Sequence, residues 1–303
     1  MALGTVAVVG DINFDIIAFH SKFPAKGAEE LAQKAFFRHG GSAANIAHAF
    51  ALLGLNVVMT GCVGRDLIGK TLVTDLAKTG IDISYIQSTS QDITGVVYIF
   101  VTADGERTML AYRGANKHLQ YNERIRKAIK NIDAIFFSGY SFLENSQKET
   151  AFKILDEVVG SGCLLSMDLC VPLATRTRIL KRTASVMDYV FINVQEFEIL
   201  STQMDVKSVP ELSSLWNCVV VLKRGKDGCM ISTETGEVVK IPAKRVRPVD
   251  TTGAGDAFTA GFIYELLKGS TFERCGRTAV ELGARASQVI GGRIDKVFLP
   301  ARK

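Results

Sequence analysis

The chain has 303 residues, 47% of them hydrophobic and 22% charged, with 36 Lys and Arg against 31 Asp and Glu for a formal charge of +5. That composition is globular, with ample material for a core, and the charge is too small to suggest a nucleic-acid tail. The longest apolar region, Ile46 to Met59, is broken by His48, Gly54 and Asn56 and is too short to span a bilayer. The six cysteines make no C-x-x-C pair, so they read as reduced core thiols and not as disulfides or metal ligands. With no signal-peptide pattern at the N-terminus, these features predict a cytoplasmic protein with neither nucleic acid nor membrane as a partner.

Taken in chain order, the first element is Thr5-Val6-Ala7-Val8-Val9, an apolar run ending at Gly10-Asp11. It predicts a buried parallel strand with a ligand-facing loop at its carboxyl end. Asp11, Asn13 and Asp15 follow two apart, on one side of an extended segment. Such a row suits a polyhydroxylated ligand, and equally a solvated strand face. Residues 31–38, 94–102 and 107–113 also read as strands, the last two joined by the turn signal Asp104-Gly105. They interrupt a βα rhythm and predict a small lid sheet, from about 12–38 and 92–116, over the mouth of a site.

His39-Gly40-Gly41-Ser42 is a glycine turn leading into a helix, with Asn45 one turn in offering both a donor and an acceptor. Gly64-Arg65-Asp66-Leu67-Ile68-Gly69-Lys70-Thr71 matches the pattern G-x-x-x-x-G-K-[ST]. A P-loop ATPase or kinase using Lys70 is therefore an alternative reading, although Asp66, Leu67 and Ile68 fill the loop where phosphates would sit. Strand patterns at 57–63, 134–138, 164–168, 189–193 and 219–223 alternate with helical ones at 69–79 and 147–159, and the C-terminal part is helical. The alternation predicts one α/β domain over 1–303, its mostly parallel sheet flanked by helices on both faces.

Near the end, Asp250-Thr251-Thr252-Gly253-Ala254-Gly255-Asp256 runs into the apolar helical pattern Ala257-Phe258-Thr259-Ala260-Gly261-Phe262. Gly253, Ala254 and Gly255 let backbone N–H groups approach a ligand closely, with a helix dipole behind them. That is a site for phosphate or another developing negative charge, and Asp256 stands beside it, placed to deprotonate a hydroxyl. Read alone, the loop is equally a capped helix with a tight entry turn.

Three patches together resemble the PfkB family of carbohydrate and nucleoside kinases, the ribokinase superfamily, and the resemblance covers essentially the whole chain. The N-terminal signature falls on Gly40, Gly41, Asn45, Gly54 and Gly64, the C-terminal one on Asp250 to Phe262, and the family's Asn-x-x-Glu element on Asn193-Val194-Gln195-Glu196. The resemblance implies a ribokinase-like fold and ATP-dependent transfer of the γ-phosphate to a hydroxymethyl group. In that reading Asp256 is the base and the 253–255 backbone the anion hole, worth ~3 kcal/mol per donor. It implies Mg²⁺ organised through Asn193 and Glu196 by way of water, and nucleotide beside Lys223, Gly225 and Gly228. A monovalent cation such as K⁺ near Asp250 and Thr252 is a further implied feature.

On the acceptor side the resemblance carries sugar-hydroxyl contacts onto Asn13, Asp15, Gly40, Gly41 and Asn45, with Asp11 in the same row. Ribokinases present a Glu after the strand that corresponds to 134–138, where this chain reads Gly139-Tyr140-Ser141 with no acid until Glu144. Phe14, Phe36, Tyr98 and Tyr112 on the lid either stack on a nucleobase or form the lid's own core. Arg107 and Arg113 either bind a substrate phosphate, as in sugar-phosphate kinases, or are exposed charges. The expected partner is thus a sugar or nucleoside, and the assembly a monomer or a homodimer through the lid.

Overall fold

The computed structural model describes residues 3–103 and 107–294. Thirteen strands appear in chain order. They are β1 (Leu3–Val9), β2 (Asn13–Phe19), β3 (Lys34–Gly40), β4 (Leu55–Gly64), β5 (Ile86–Thr89), β6 (Gly95–Val101) and β7 (Arg107–Tyr112). Then come β8 (Ala134–Ser138), β9 (Leu164–Asp168), β10 (Tyr189–Asn193), β11 (Val219–Lys223), β12 (Cys229–Ser232) and β13 (Val238–Ile241). Nine of them form one sheet in the order β13-β12-β11-β10-β9-β8-β1-β4-β5, parallel throughout except for β12, which runs antiparallel to both β11 and β13 near one edge.

Continuous apolar runs occupy the middle of this sheet because both its faces are covered by helices. Val6, Ala7, Val8 and Val9 alternate between the two faces, and each is fully buried. One core packs against helices Ser42–Leu52, Ala254–Leu267 and Phe272–Ala286, where Phe262 meets Phe191 edge-on at 5.3 Å. The other packs against Asn145–Val158 and the helices between 171 and 216, with Trp216 and Phe142 buried in it. β1 lies between β4 and β8, so the chain runs outward from it in both directions. A crevice opens at the carboxyl ends of strands where the order reverses in this way, and ligands bind there.

The four remaining strands form the lid sheet, β3-β2-β6-β7, in which Asp15 lies opposite Arg38 on β3 and Val97 on β6. Side chains alternate between faces along a strand. Register therefore puts Ile17 and Phe36 on the face of Asp15, and Phe14, Ile16, Phe37, Tyr98, Leu110 and Tyr112 on the opposite face. Among the four aromatics read from the sequence, only Phe36 shares the acceptor's side, where its ring meets that of Phe19 edge-on at 5.8 Å. Tyr112 instead donates its hydroxyl to Asp92 at 2.7 Å. The turn signal Asp104-Gly105 lies outside the described residues.

Candidate active site

The helix Ala254–Leu267 begins at Gly253, whose φ of 72° is left-handed. A Cβ there would come within 2.2 Å of the Gly292 carbonyl oxygen, so only glycine makes this entry turn. The Ala254 N–H donates to Thr251 O at 3.2 Å, while those of Gly253 and Gly255 find no partner among the described residues. Of the three loop amides read at 253–255, the two on either side of Ala254 are thus unengaged among the described residues. Asp250 braces the loop from below. Its Oδ1 accepts from the Thr252 N–H at 2.9 Å and hydroxyl at 2.6 Å, and its Oδ2 accepts from the Gly291 N–H at 2.9 Å. Arg107 on the lid reaches across to donate to Thr252 Oγ1 at 3.0 Å and lies 3.7 Å from Asp250.

Asp256 sits one residue past Gly255 and faces a second helix N-terminus. Ser42 donates its hydroxyl to Oδ1 and Asn45 its amide to Oδ2, both at 2.8 Å. Burial, opposed by these hydrogen bonds, pushes the Asp256 carboxyl up to about 6. That is a better match to a base working near neutrality than the ordinary carboxylate value of ~3.9.

Asp15 closes the pocket from the lid. Its carboxylate lies so close to Gly40 that a Cβ there would sit 2.2 Å from both oxygens. The residue is 4% exposed, and its Oδ1 has no hydrogen-bond partner among the described residues. Desolvation, opposed by Arg293 and aided by Asp256 and Asp250, raises it to about 7. Asn13 accepts from Asn116 at 2.7 Å through its Oδ1, which leaves its own amide N–H₂ for a ligand.

Asp11 departs from the expected row. Its carboxylate accepts from Arg113 at 2.8 and 3.1 Å and from Gln147 at 2.8 Å, and Arg113 also donates to Glu144 at 3.3 Å. Asp11 is therefore already engaged within the protein, with a nearly buried guanidinium donating to both its oxygens. For the same reason Arg113 is no open phosphate binder. Asp11 and its hydrogen bonds hold Arg113 above its ordinary value against the opposing effect of burial. Glu144, which the sequence leaves distant, is brought to the edge of this cluster.

A cavity of about 580 Å³ opens beside Gly255, lined by Gly225, Gly228, Val246, Pro248, Phe258 and Ala284 among others. Lys223 lies at its inner wall and donates to both Asp168 oxygens at 2.6 Å, while Thr259 donates to Asp168 at 2.8 Å. Glu196 forms a capping box with Asn193, each side chain accepting from the other's backbone N–H at 2.8 Å. It is 4% exposed, and desolvation, with Asp168 adding to it and Lys223 opposing, raises its carboxyl to about 7. Among the described residues no group of three or more His, Cys, Asp and Glu forms a metal cage. Mg²⁺ fits one or two carboxylates better than a cage, since it keeps water and phosphate as its other ligands. The buried, under-compensated Glu196 beside Asp168 suits that role.

The P-loop reading fails on geometry. Asp66 caps the helix Leu67–Lys78 with its own carboxylate, which accepts from the Gly69 N–H at 2.7 Å and from the Thr94 N–H and hydroxyl at 2.8 Å. A fixed negative charge thus sits at the helix N-terminus where phosphate would lie and takes the Gly69 amide, and Lys70 is exposed. Sequence reasoning missed Ser42, Asp168, Thr259, Gln147 and Arg293. Of these, Asp168 alone carried a visible signal, as the acid that ends an apolar strand.

Asp256 thus stands between Ser42 and Asn45 on one side and, through Gly255, a cavity of about 580 Å³ on the other, an arrangement compatible with a phosphotransferase that has an alcohol group as acceptor. The comparison with known families agrees: residues 4–297 match the model described as pfkB family carbohydrate kinase, and the chain belongs to that family. An ATP-dependent ribose-1-phosphate kinase of Halopiger xanaduensis is 30% identical over 288 residues, 95% of this chain and 93% of that one. A nucleoside kinase of Methanothermobacter thermautotrophicus is 29% identical over 89% of this chain and 85% of that one. Adenosine kinase from Schistosoma mansoni shares the fold with a TM-score of 0.87 at 20% identity, covering 98% of both chains. No helix among the described residues is long and apolar enough to cross a membrane.

Proposed function

We propose that this protein transfers the γ-phosphoryl group of ATP to a hydroxymethyl group of an unphosphorylated sugar or nucleoside, with Asp256 as the base. The observation that carries the reading is the position of Asp256. It is held by Ser42 and Asn45 of the acceptor-side helix and stands one residue from Gly255, which lines the nucleotide cavity. Phosphoryl transfer needs in-line positioning and charge stabilisation more than a strong base. Asp256 orients the hydroxyl and takes its proton late. The unpaired Gly253 and Gly255 amides meet the charge that develops on the transferred oxygens. Glu196 and Asn193 would hold Mg²⁺ by way of water, and the ion would supply positive charge for the nucleotide phosphates, while Lys223 holds Asp168 and keeps a fixed positive charge at the cavity wall. Asp250 and Thr252 offer oxygen to a monovalent cation, but Arg107 already brings positive charge to that pair. In this reading ATP and Mg²⁺ are required and K⁺ is dispensable.

An unphosphorylated acceptor is favoured over a sugar phosphate because Arg113 is engaged by Asp11 and Arg107 by Thr252. A homodimer through the lid is favoured by the apolar row Phe37, Tyr98 and Leu110, exposed by 64%, 41% and 67% on its outer face. Sedimentation of wild type against Leu110→Lys tests that point. The activity is tested by ADP release with Mg-ATP over ribose, fructose, 2-keto-3-deoxygluconate, fructose 6-phosphate, adenosine, inosine, guanosine and cytidine. Turnover with a neutral acceptor is expected. Turnover confined to fructose 6-phosphate would contradict the unphosphorylated acceptor.

A further inference from the structure

Among the described residues two buried polar atoms close to the proposed acceptor cluster are left unpaired, one on an acid and one on a base. One is Asp15 Oδ1; the other is Arg293 Nη2. Arg293 comes from the far end of the described chain, its side chain only 9% exposed. Its Nη1 donates to Asp75 at 2.6 Å and its Nε to Asn45 Oδ1 at 3.4 Å. In a guanidinium, Nε–H and Nη2 share one edge of the planar fork. Nη2 therefore faces the same way as Nε, toward Asn45, whose other end holds Asp256.

Arg293 and Asp15 are near enough to feel each other's charge, but they make no direct ion pair. A buried polar atom left without its hydrogen bond costs free energy, and native structures rarely leave two such atoms on neighbouring groups. An oxygen that accepts from the guanidinium and donates to the carboxylate satisfies both at once. A hydroxyl does this. A phosphate or carboxylate oxygen does not, because it has no proton for Asp15 and repels its charge.

We infer that Arg293 is a specificity-determining residue which, together with Asp15, reads one secondary hydroxyl of the acceptor. The inference rests on the kinase reading above and adds to it the class of acceptor: a polyol ring, and not its deoxy counterpart. The same side chain also fixes Asn45. With Nε–H on Asn45 Oδ1, the amide N–H₂ must turn to Asp256, so hydroxyl recognition and orientation of the base share one guanidinium. Asp75, held in turn by His39 at 2.7 Å, anchors the opposite edge of the fork.

The test measures binding by calorimetry, without reliance on turnover. Ribose is compared with 2-deoxyribose, and adenosine with its 2′- and 3′-deoxy analogues, on wild type, Arg293→Met and Arg293→Lys. Circular dichroism confirms that each variant is folded. Wild type is expected to prefer the full polyol at least tenfold over one deoxy analogue. Arg293→Met is expected to erase that preference, leaving affinity for the deoxy compound within about threefold of wild type. Arg293→Lys, which keeps charge but not the fork, is expected to keep only part of the preference. A preference that persists in Arg293→Met overturns the inference. So does binding confined to a sugar phosphate such as ribose 5-phosphate. Hydroxyl-dependent binding lost in Arg293→Met but without ADP release would support Arg293 as reader and refute the kinase reading, so the two failures are distinguishable.

Discussion

Replacing Asp15 by Asn is expected to stabilise the ligand-free protein while damaging its catalysis. Asp15 is 4% exposed with one oxygen unpaired, and its carboxyl is raised from 3.8 to about 7. Below the unfolded value of about 4, folded and unfolded chains both carry the proton and the group imposes no penalty. As pH rises the unfolded chain ionises first, and folding must hold the proton or desolvate the charge. The penalty grows until pH passes the folded value, reaching about 3 units at ~1.4 kcal/mol each, or about 4 kcal/mol. Asparagine has the same shape and carries no charge, but it loses the attraction to Arg293, so a net gain of ~1–3 kcal/mol at pH 8 is expected. At roughly 2 °C per kcal/mol for a domain of this size, Tm rises by a few degrees. The gain shrinks steadily toward pH 4. Acceptor KM should rise by ~10–100-fold, because a hydrogen bond to a charged group is worth ~1.5–3 kcal/mol. Differential scanning calorimetry at pH 8 and pH 4.5, beside steady-state kinetics, measures both effects. A lower Tm at pH 8, or an equal shift at both pH values, would refute the electrostatic argument.

Lys70→Ala should leave kcat/KM within twofold, since Lys70 is exposed beside a loop already filled by Asp66; a loss above tenfold would revive the P-loop reading. Glu196→Gln should keep the helix cap, because its amide oxygen can still accept from Asn193, yet raise the Mg²⁺ concentration for half-maximal activity about tenfold or more. An unchanged Mg²⁺ titration would remove Glu196 from that role. Acceptor kcat/KM should climb with pH through a window of about 6 to 7, where Asp256 and Asp15 ionise. A profile flat from pH 5 to 9 would show that neither carboxylate must be charged.

Much of this architecture was legible because the inner strands are continuous apolar runs. β8, β9, β10 and β11 begin and end at the residues that pattern and flanking polar residues mark. The short edge strands β5, β12 and β13 were not, since four-residue segments carry too little periodicity. The lid strands were legible as strands, but which aromatic shares the face of Asp15 depended on register, and register is set by pairing between separate segments, β2 with β3 and β2 with β6. In the site, Asp256 and the glycine loop announce themselves by local chemistry. Asp11 misled for the opposite reason. Its spacing with Asn13 and Asp15 is right, and only the fold reveals that Arg113, 102 positions away, and Gln147, 136 away, take its oxygens. Arg293 and Asn45 are 248 positions apart, and nothing in their local sequence links them.

The proposed chemistry divides the work, Asp256 taking the acceptor's proton while the loop before it holds the developing charge. It is tested most directly by single-turnover transfer from [γ-³²P]ATP to the best acceptor in Asp256→Asn, with nucleotide affinity measured alongside. The account predicts a transfer rate at least 10³-fold below wild type, with Mg-ATP binding within a few fold and the fold intact. Transfer within tenfold of wild type would contradict it.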